Sequence, residues 1–460
     1  MTGAARDHGA TIVVSALASA FSVALILLTS VMSAAMDAQG LEGGTFRVLL
    51  LIVSGLFILI ALYVGAIVTA NTFATVIAGR TRQIALLRLL GATSSKVRAR
   101  VAIEGLFAGA VGATIGLVIA VGLVAFVALA GPGFGWLPRG EYPLFDPLAL
   151  VAVVVVVATT WIAAWSGSRR VAGVSPIAAT GAAVEQNQEE SRSRRSRSVW
   201  ALILMILGAA ILAVGVYLGM VTALGLVVAF FGGLISFTGI AIGAHLVMPP
   251  VLRLAGRALG SGPATRIAVA NAERYPERTS RSAIGLVIGV TLVTMFSVAL
   301  ATYEQMTLAI FADEPDVAAE YTSALAITSL ICTVLVGFSA VIASVGMVNT
   351  LSLGVLQRTR ELGLLRTLGF TGRQVRGMVV AESAQITLAA LGLGLVLGIV
   401  YGWAAAQSLL GEQVGLVGPT IPWPVLLGVI LFGIVLAIGA SVAPSRRAVR
   451  IAPVSALAAD

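Results

Sequence analysis

Two stretches of this 460-residue chain carry arginine, leucine and glycine in one fixed order: RTRQIALLRLLGATSSKVRARVAIE over 80–104 and RTRELGLLRTLGFTGRQVRGMVVAE over 358–382. Catalysis is not the chemistry these residues offer. The whole chain has two histidines and one cysteine, and neither stretch brings a nucleophile beside a base. The pattern is one of docking. In the second copy Leu362, Leu365 and Leu368 recur at three-residue spacing on one helix face, while Arg360 and Arg366 point elsewhere. Gly91 and Gly369 stand where a helix C-cap belongs, and Thr371 with Gln374 forms a capping-box pattern for the next helix. Each stretch is therefore predicted to be a short helix, a sharp turn and a return into the membrane. A helix with an apolar face outside the bilayer needs a partner. Lipid surface and a groove on a cytoplasmic protein are both open from the residues alone.

The elements that position these stretches follow from composition. Hydrophobic residues make up 58% of the chain and charged residues 11%, which predicts an all-α, polytopic membrane protein. Apolar runs near 11–34, 48–78, 101–130, 147–166, 199–218, 223–248, 283–303, 323–357, 377–410 and 422–443 give ten expected spans. The first is read as a retained span rather than a cleaved leader, because the repeat requires it. With the N-terminus inside, the cytoplasmic segments hold 27 of the 29 basic residues, leaving out only Arg47 and Arg139. The positive-inside rule therefore places both termini in the cytoplasm. It also accounts for the net charge of +9 without nucleic acid, since no basic segment interleaves stacking aromatics. Cys332 lies alone in an apolar span, which excludes an intrachain disulfide and a cysteine-clustered metal site. No metal site is expected.

The repeat organises the spans. A shift of 278 residues gives 15 identities in the 34 positions from Asn71 to Glu104, against Asn349 to Glu382. The expected domains are a first four-helix unit at 1–180, with its core from about 48, and a basic linker at 181–198. Two connecting helices follow at 199–248, then a cytoplasmic segment at 249–282 and a second four-helix unit at 283–460. The Arg/Ser/Glu composition of the linker predicts disorder. Two connecting spans return the chain to its starting side, so the halves run parallel. Runs 48–78 and 323–357 reach roughly 45–50 Å as helices, against a hydrocarbon core of about 30 Å, and are expected to project as stalks. Duplication at the tips of stalks favours a paired partner. The outer loops, about 35–47, 131–146, 304–322 and 411–421, are too short to fold as domains.

The doubled R-T-R-[QE]-x-x-L-L-R-x-L-G pattern, its stalk and the following glycine-rich span resemble the FtsX/MacB-type permease domain of ABC transporters. The resemblance covers about 48–180 and 270–460. It implies that the stretch is a coupling helix seated on a nucleotide-binding subunit. The coupling residues would be Arg80, Arg82, Leu86, Leu87, Arg88 and Gly91, with Arg358, Arg360, Glu361, Leu364, Leu365, Arg366 and Gly369. The run ANAERYPERTSRSA at 270–283 is similar to the amphipathic lead-in helix of a family unit; the first half has no counterpart. Many family members carry a large outer domain after the first span, and the loops here are too short for one.

The single lysine, Lys96, follows two serines rather than a glycine loop, so the chain has no Walker A motif to cradle ATP phosphates. The chain itself is expected to be no enzyme and to hold no cofactor. ATP and Mg are expected on two copies of a partner ATPase. The resemblance thus implies a permease subunit in a bacterial cytoplasmic membrane, which exports or extracts an amphiphile such as a peptide, lipid or hydrophobic drug. The alternatives are a non-transporting mechanical transducer controlling an outer partner, and an ion-driven secondary transporter. Four further residues stand out. Glu104 and Glu382 occupy equivalent positions at the cytoplasmic start of spans three and nine, as functional carboxylates or as structural partners of Arg98, Arg100 or Arg376. Asn71 and Asn349 are expected to hydrogen-bond between helices. The glycines at 105, 109, 112 and 116, and at 394, 398 and 402, predict close helix packing. His245 is read as interfacial decoration.

Overall fold

The computed structural model describes residues 2–37, 81–134, 140–168, 188–259, 276–312 and 369–435, with parts of 52–73 and residues 269–270. The chain divides into two compact units, Met1–Val184 and Glu185–Asp460. Described regular structure is helical throughout. Among the described residues seven helices are long and apolar enough to cross a membrane, and two shorter apolar helices lie at Ile58–Ala70 and Trp423–Val435. Nine of the ten expected spans thus have a helix in place. The eighth, 323–357, lies outside the described residues with Cys332, as does the stalk portion of the second.

In the first unit, α1 (Thr2–Asp37) precedes α2 (Ile58–Ala70), the short α3 (Thr81–Leu89), α4 (Ser94–Phe134) and α5 (Pro147–Gly167). The apolar part of α1 is 72% buried, against 28% for α4 and 33% for α5, so α1 is the central helix. Small residues let it sit close. A Cβ on Gly112 of α4 would fall 2.6 Å from the Ile12 carbonyl oxygen, and one on Gly116 would strike the Ala16 carbonyl. Ser19 Oγ donates to the Ala113 carbonyl at 2.9 Å, and Ser15 Oγ lies 3.1 Å from Thr160 Oγ1 of α5. Near the C-terminal end of α1, Ser30 Oγ donates to Asp146 Oδ2 at 2.7 Å, while Asp146 Oδ1 caps α5 by accepting from Leu148 N. Between these polar ties lies a core of Val23, Leu27, Val31, Ala120 and Val124.

In the second unit, α6 (Gln188–Leu218) and α7 (Gly225–Ile242) form a tight hairpin. Gly208 and Gly215 on α6, and Gly225, Gly232 and Gly239 on α7, recur every seven residues and lie against the partner's backbone. Next come α8 (Ala244–Ala258), α9 (Pro276–Ile310), α10 (Gly372–Val414) and α11 (Trp423–Val435). The central helix here is α9, 78% buried over its apolar part. It packs on α10 as α1 packs on α4: Gly394 meets the Val287 carbonyl and Val290, and Gly398 meets Thr294. Tyr401 of α10 donates to Ser236 of α7 at 3.1 Å. Near the C-terminal end of α10, Gln407 fastens the chain that follows, donating to the Gly415 carbonyl and accepting from Val417 N.

Two expectations change. The segment read as a disordered linker is helical from Gln188 and continuous with the span. Its spacing explains this: Glu189 and Glu190 lie in the first turn, where the helix dipole favours anions, and Glu190 precedes Arg194 by four residues. The sixth span, expected at 223–248, ends at Ile242, where Gly243 (φ −88°, ψ 16°) starts a new helix. A Cβ on Gly243 would fall 2.9 Å from Ala201 Cβ of α6, so a glycine suits the point where the chain turns into α8, and Pro249 and Pro250 lie within α8 itself. Residues 276–283, within the run read as a lead-in helix, are helical and continue into the apolar part of α9.

Candidate functional site

The first docking stretch is built from local chemistry outward. Helix α3 ends at Gly91, whose φ of +94° a side chain would strain. Ala92 N donates to the Leu87 carbonyl at 2.9 Å, the six-to-one bond of a Schellman stop. Thr93 Oγ1 then accepts from Lys96 N at 3.3 Å and starts α4. The second copy repeats the turn glycine and the threonine cap. Gly369 has φ +97°, and Thr371 exchanges bonds with Gln374 in a full capping box that starts α10. Both helices begin at the same repeat position.

Each turn feeds an unusually long helix. α4 has 41 residues and α10 has 43, about 60–65 Å at 1.5 Å per residue, twice the hydrocarbon thickness. The helices that leave the turn thus run well beyond one hydrocarbon thickness, which hydropathy runs of 101–130 and 377–410 understate.

The apolar stripe of α3 is split. Ile84 is buried against Val97 of α4, with Ala92 and Val101 around it. That burial contributes about 2 kcal/mol toward holding α3 on α4. Leu86, Leu87, Leu89 and Leu90 face outward, Leu90 being 85% exposed. Arg82 and Arg88 lie on the α3 backbone. Arg80, Arg358, Arg360, Glu361, Leu364, Leu365, Arg366, Asn71 and Asn349 lie outside the described residues. Glu104, one repeat unit from Glu382, has Arg100 Nε at 3.4 Å from its Oε1, an i,i+4 pair on the exposed start of α4.

A contact that the sequence does not advertise holds the other side of this turn. The Arg98 guanidinium lies 4.9 Å from the Trp165 ring centroid, and its Nε is 3.5 Å from Ser168 Oγ. Ser168 is fully buried and donates to the Trp165 carbonyl at 2.6 Å. Adjacent residues of α4 thus grip two elements: Val97 holds α3 and Arg98 holds the end of α5. His245 is also more than decoration. Its Nε2 lies 2.9 Å from Ser198 Oγ and its Nδ1 3.5 Å from Arg197 Nη2. This ties α8 to the base of α6.

The FtsX-like permease C-terminal family model matches this chain twice, over residues 55–176 and 333–453, together more than half its length. The chain belongs to the FtsX-like permease family. Each match takes in one glycine turn and the long helix that leaves it, and omits the central helix of the unit. An uncharacterized ABC transporter permease of Bacillus subtilis, YknZ, is 32% identical over 143 residues, which cover 31% of this chain and 34% of YknZ. The macrolide export ATP-binding/permease protein MacB of Nitrobacter winogradskyi is 30% identical over 133 residues, 28% of this chain and 19% of MacB. The uncharacterized ABC transporter permease MJ1507 of Methanocaldococcus jannaschii is 26% identical over 138 residues, 30% of this chain and 34% of that protein. The chain therefore matches about a third or less of each relative's length. This FtsX-like permease is a polytopic, all-α membrane protein with two such regions in one chain.

Proposed function

We propose that this FtsX-like permease is the membrane subunit of an ATP-binding-cassette transporter. Two copies of a cytoplasmic ATPase subunit, carrying ATP and Mg, would drive it to export or extract an amphiphile from the bilayer. The observation that carries this reading is the α3 turn. Three leucines on a short helix anchored by Ile84, and Leu90 in the turn after it, face outward at the root of a helix twice as long as the membrane is thick. An apolar cluster presented at that place suits a groove on a soluble partner. Arg80, Arg82 and Arg88 would supply the charged rim, with Arg358, Arg360, Glu361 and Arg366 in the second copy around Leu364 and Leu365. The distribution of arginine supports termini and turns on the cytoplasmic side of a bacterial cytoplasmic membrane. The name of the MacB relative couples export to ATP binding, whereas the sole lysine here lies in no phosphate loop.

The test is to purify the chain with the ATPase encoded beside it and compare wild type with Arg88→Glu/Arg366→Glu. Loss of ATPase recruitment, with the permease still folded, is the expected result. Normal recruitment by the double variant, or transport with no ATPase present, would remove the coupling assignment. Stimulation of hydrolysis by added peptides or lipids would then narrow the cargo class.

A further inference from the structure

Helix α8 lies outside the matched regions and outside the proposed coupling turns. One stripe of it, Ala244, Met248, Leu252, Ala255 and Gly256, is buried. The buried side reaches α10, where Gln385 Nε2 donates to the Leu252 carbonyl at 2.9 Å. The opposite stripe is exposed and carries two chemistries together: Leu246 and Leu254, with Arg253 and Arg257. Two observations fix its level relative to the membrane. α7 has 18 residues, about 27 Å, one hydrocarbon thickness, and α8 starts one residue beyond its end. His245 is also bonded to Ser198, immediately before the apolar run of α6 opens at Val199. Both place the start of α8 where polar surface gives way to hydrocarbon.

We propose that the exposed stripe of α8 lies in the bilayer surface and binds anionic phospholipid, its leucines among the upper acyl carbons and Arg253 and Arg257 on headgroup phosphate. The alternation of leucine and arginine along one exposed stripe is the pattern of an interfacial helix. Two arginines one turn apart, facing the same way, select negative lipid over zwitterionic lipid. A lipid held there bears on the α8–α10 contact through Leu252 and Gln385. The inference is independent of whether an ATPase binds.

The test uses the full chain as Cys332→Ser/Leu254→Cys, labelled at position 254 with an environment-sensitive fluorophore. The labelled chain is placed in equimolar phosphatidylcholine–phosphatidylglycerol vesicles in which one or the other lipid carries brominated chains. Brominated phosphatidylglycerol should quench in clear preference, with a relative association constant about fivefold higher per arginine, falling as salt is added. The preference should collapse in Arg253→Gln/Arg257→Gln and persist in Arg253→Lys/Arg257→Lys. Equal quenching by both lipids would overturn the headgroup assignment. Quenching by aqueous iodide but by neither lipid would overturn the membrane assignment. Displacement by inorganic phosphate would show a free-anion site and sink the lipid reading too.

Discussion

The Arg98 guanidinium stacks over Trp165 with a centroid distance of 4.9 Å, one residue beyond the valine that anchors the docking helix. The end of α5 and the docking turn are thereby joined through a single turn of α4. Displacing α3 must load both grips.

If that joint transmits force, Trp165→Leu should lower permease-stimulated ATP hydrolysis while ATPase recruitment stays normal. A partly exposed cation–π contact contributes about 0.5–1 kcal/mol, so the expected loss is roughly two- to fivefold. Arg98→Lys keeps the cation and should lose less. Hydrolysis assays run beside a pull-down separate coupling from binding, and equal losses in both would count against transmission.

Backbone sign decides the turns. No heavy atom lies within 4 Å of a Cβ added at Gly91 or Gly369, so Gly91→Ala and Gly369→Ala test positive φ without steric conflict. Each should destabilise the turn by about 1 kcal/mol. Asparagine, which tolerates the left-handed region, should recover part of it. Hydrogen exchange at the amides of the following turn is the direct measurement.

Helix packing gives a paired prediction. A methyl on Gly398 would meet Thr294 and lie 2.9 Å from the Thr291 carbonyl, whereas one on Gly392 meets nothing within 4 Å. Gly398→Ala should therefore cost about 1–3 kcal/mol by overpacking, and Gly392→Ala should be neutral or slightly stabilising. Thermal unfolding in detergent, run on both variants, reads the difference.

The carboxylate at Glu104 is paired with an arginine that is 76% exposed. An exposed i,i+4 pair is worth at most about 0.5 kcal/mol. Glu104→Gln should accordingly leave the melting temperature almost unchanged. If transport nevertheless collapses, the carboxylate acts on cargo or coupling rather than as a structural tie.

Capping offers the last prediction. Thr371 alone makes the reciprocal capping box at the start of α10, so Thr371→Ala should fray the first turn at a cost of about 1 kcal/mol. Thr93→Ala should cost less, because Lys96 in place of Gln374 leaves that box half made. Backbone amide exchange at residues 372–375 and 94–97 compares the two.

Much of this was legible in the sequence because it is local. Long apolar runs, the arginines between them and the 278-residue repeat predict the helices and the family. The turns are equally readable, since a glycine at positive φ and a threonine cap act within a few residues of themselves. The heptad glycines of the α6–α7 hairpin were visible as letters, but their partners were not. The Arg/Ser/Glu run was misread because its composition resembles a solvated linker, although its Glu-to-Arg spacing suits a helix.

What lies far apart along the chain only the tertiary structure decided. Ile84 and Leu87 are one stripe by periodicity, yet one is folded onto Val97 and the other faces outward. Arg98 meets Trp165, and His245 meets Ser198, across spans that no spacing rule connects. The sequence by itself determined that the chain crosses a membrane and carries the same arginine-leucine-glycine turn twice. It did not determine which face of each helix meets protein, and the reason is physical. Lipid is as apolar as a protein core, so hydrophobicity marks a helix for the membrane without marking its inner side. Only the fit of small residues and a few buried hydrogen bonds makes that choice, and those exist only once the helices are packed.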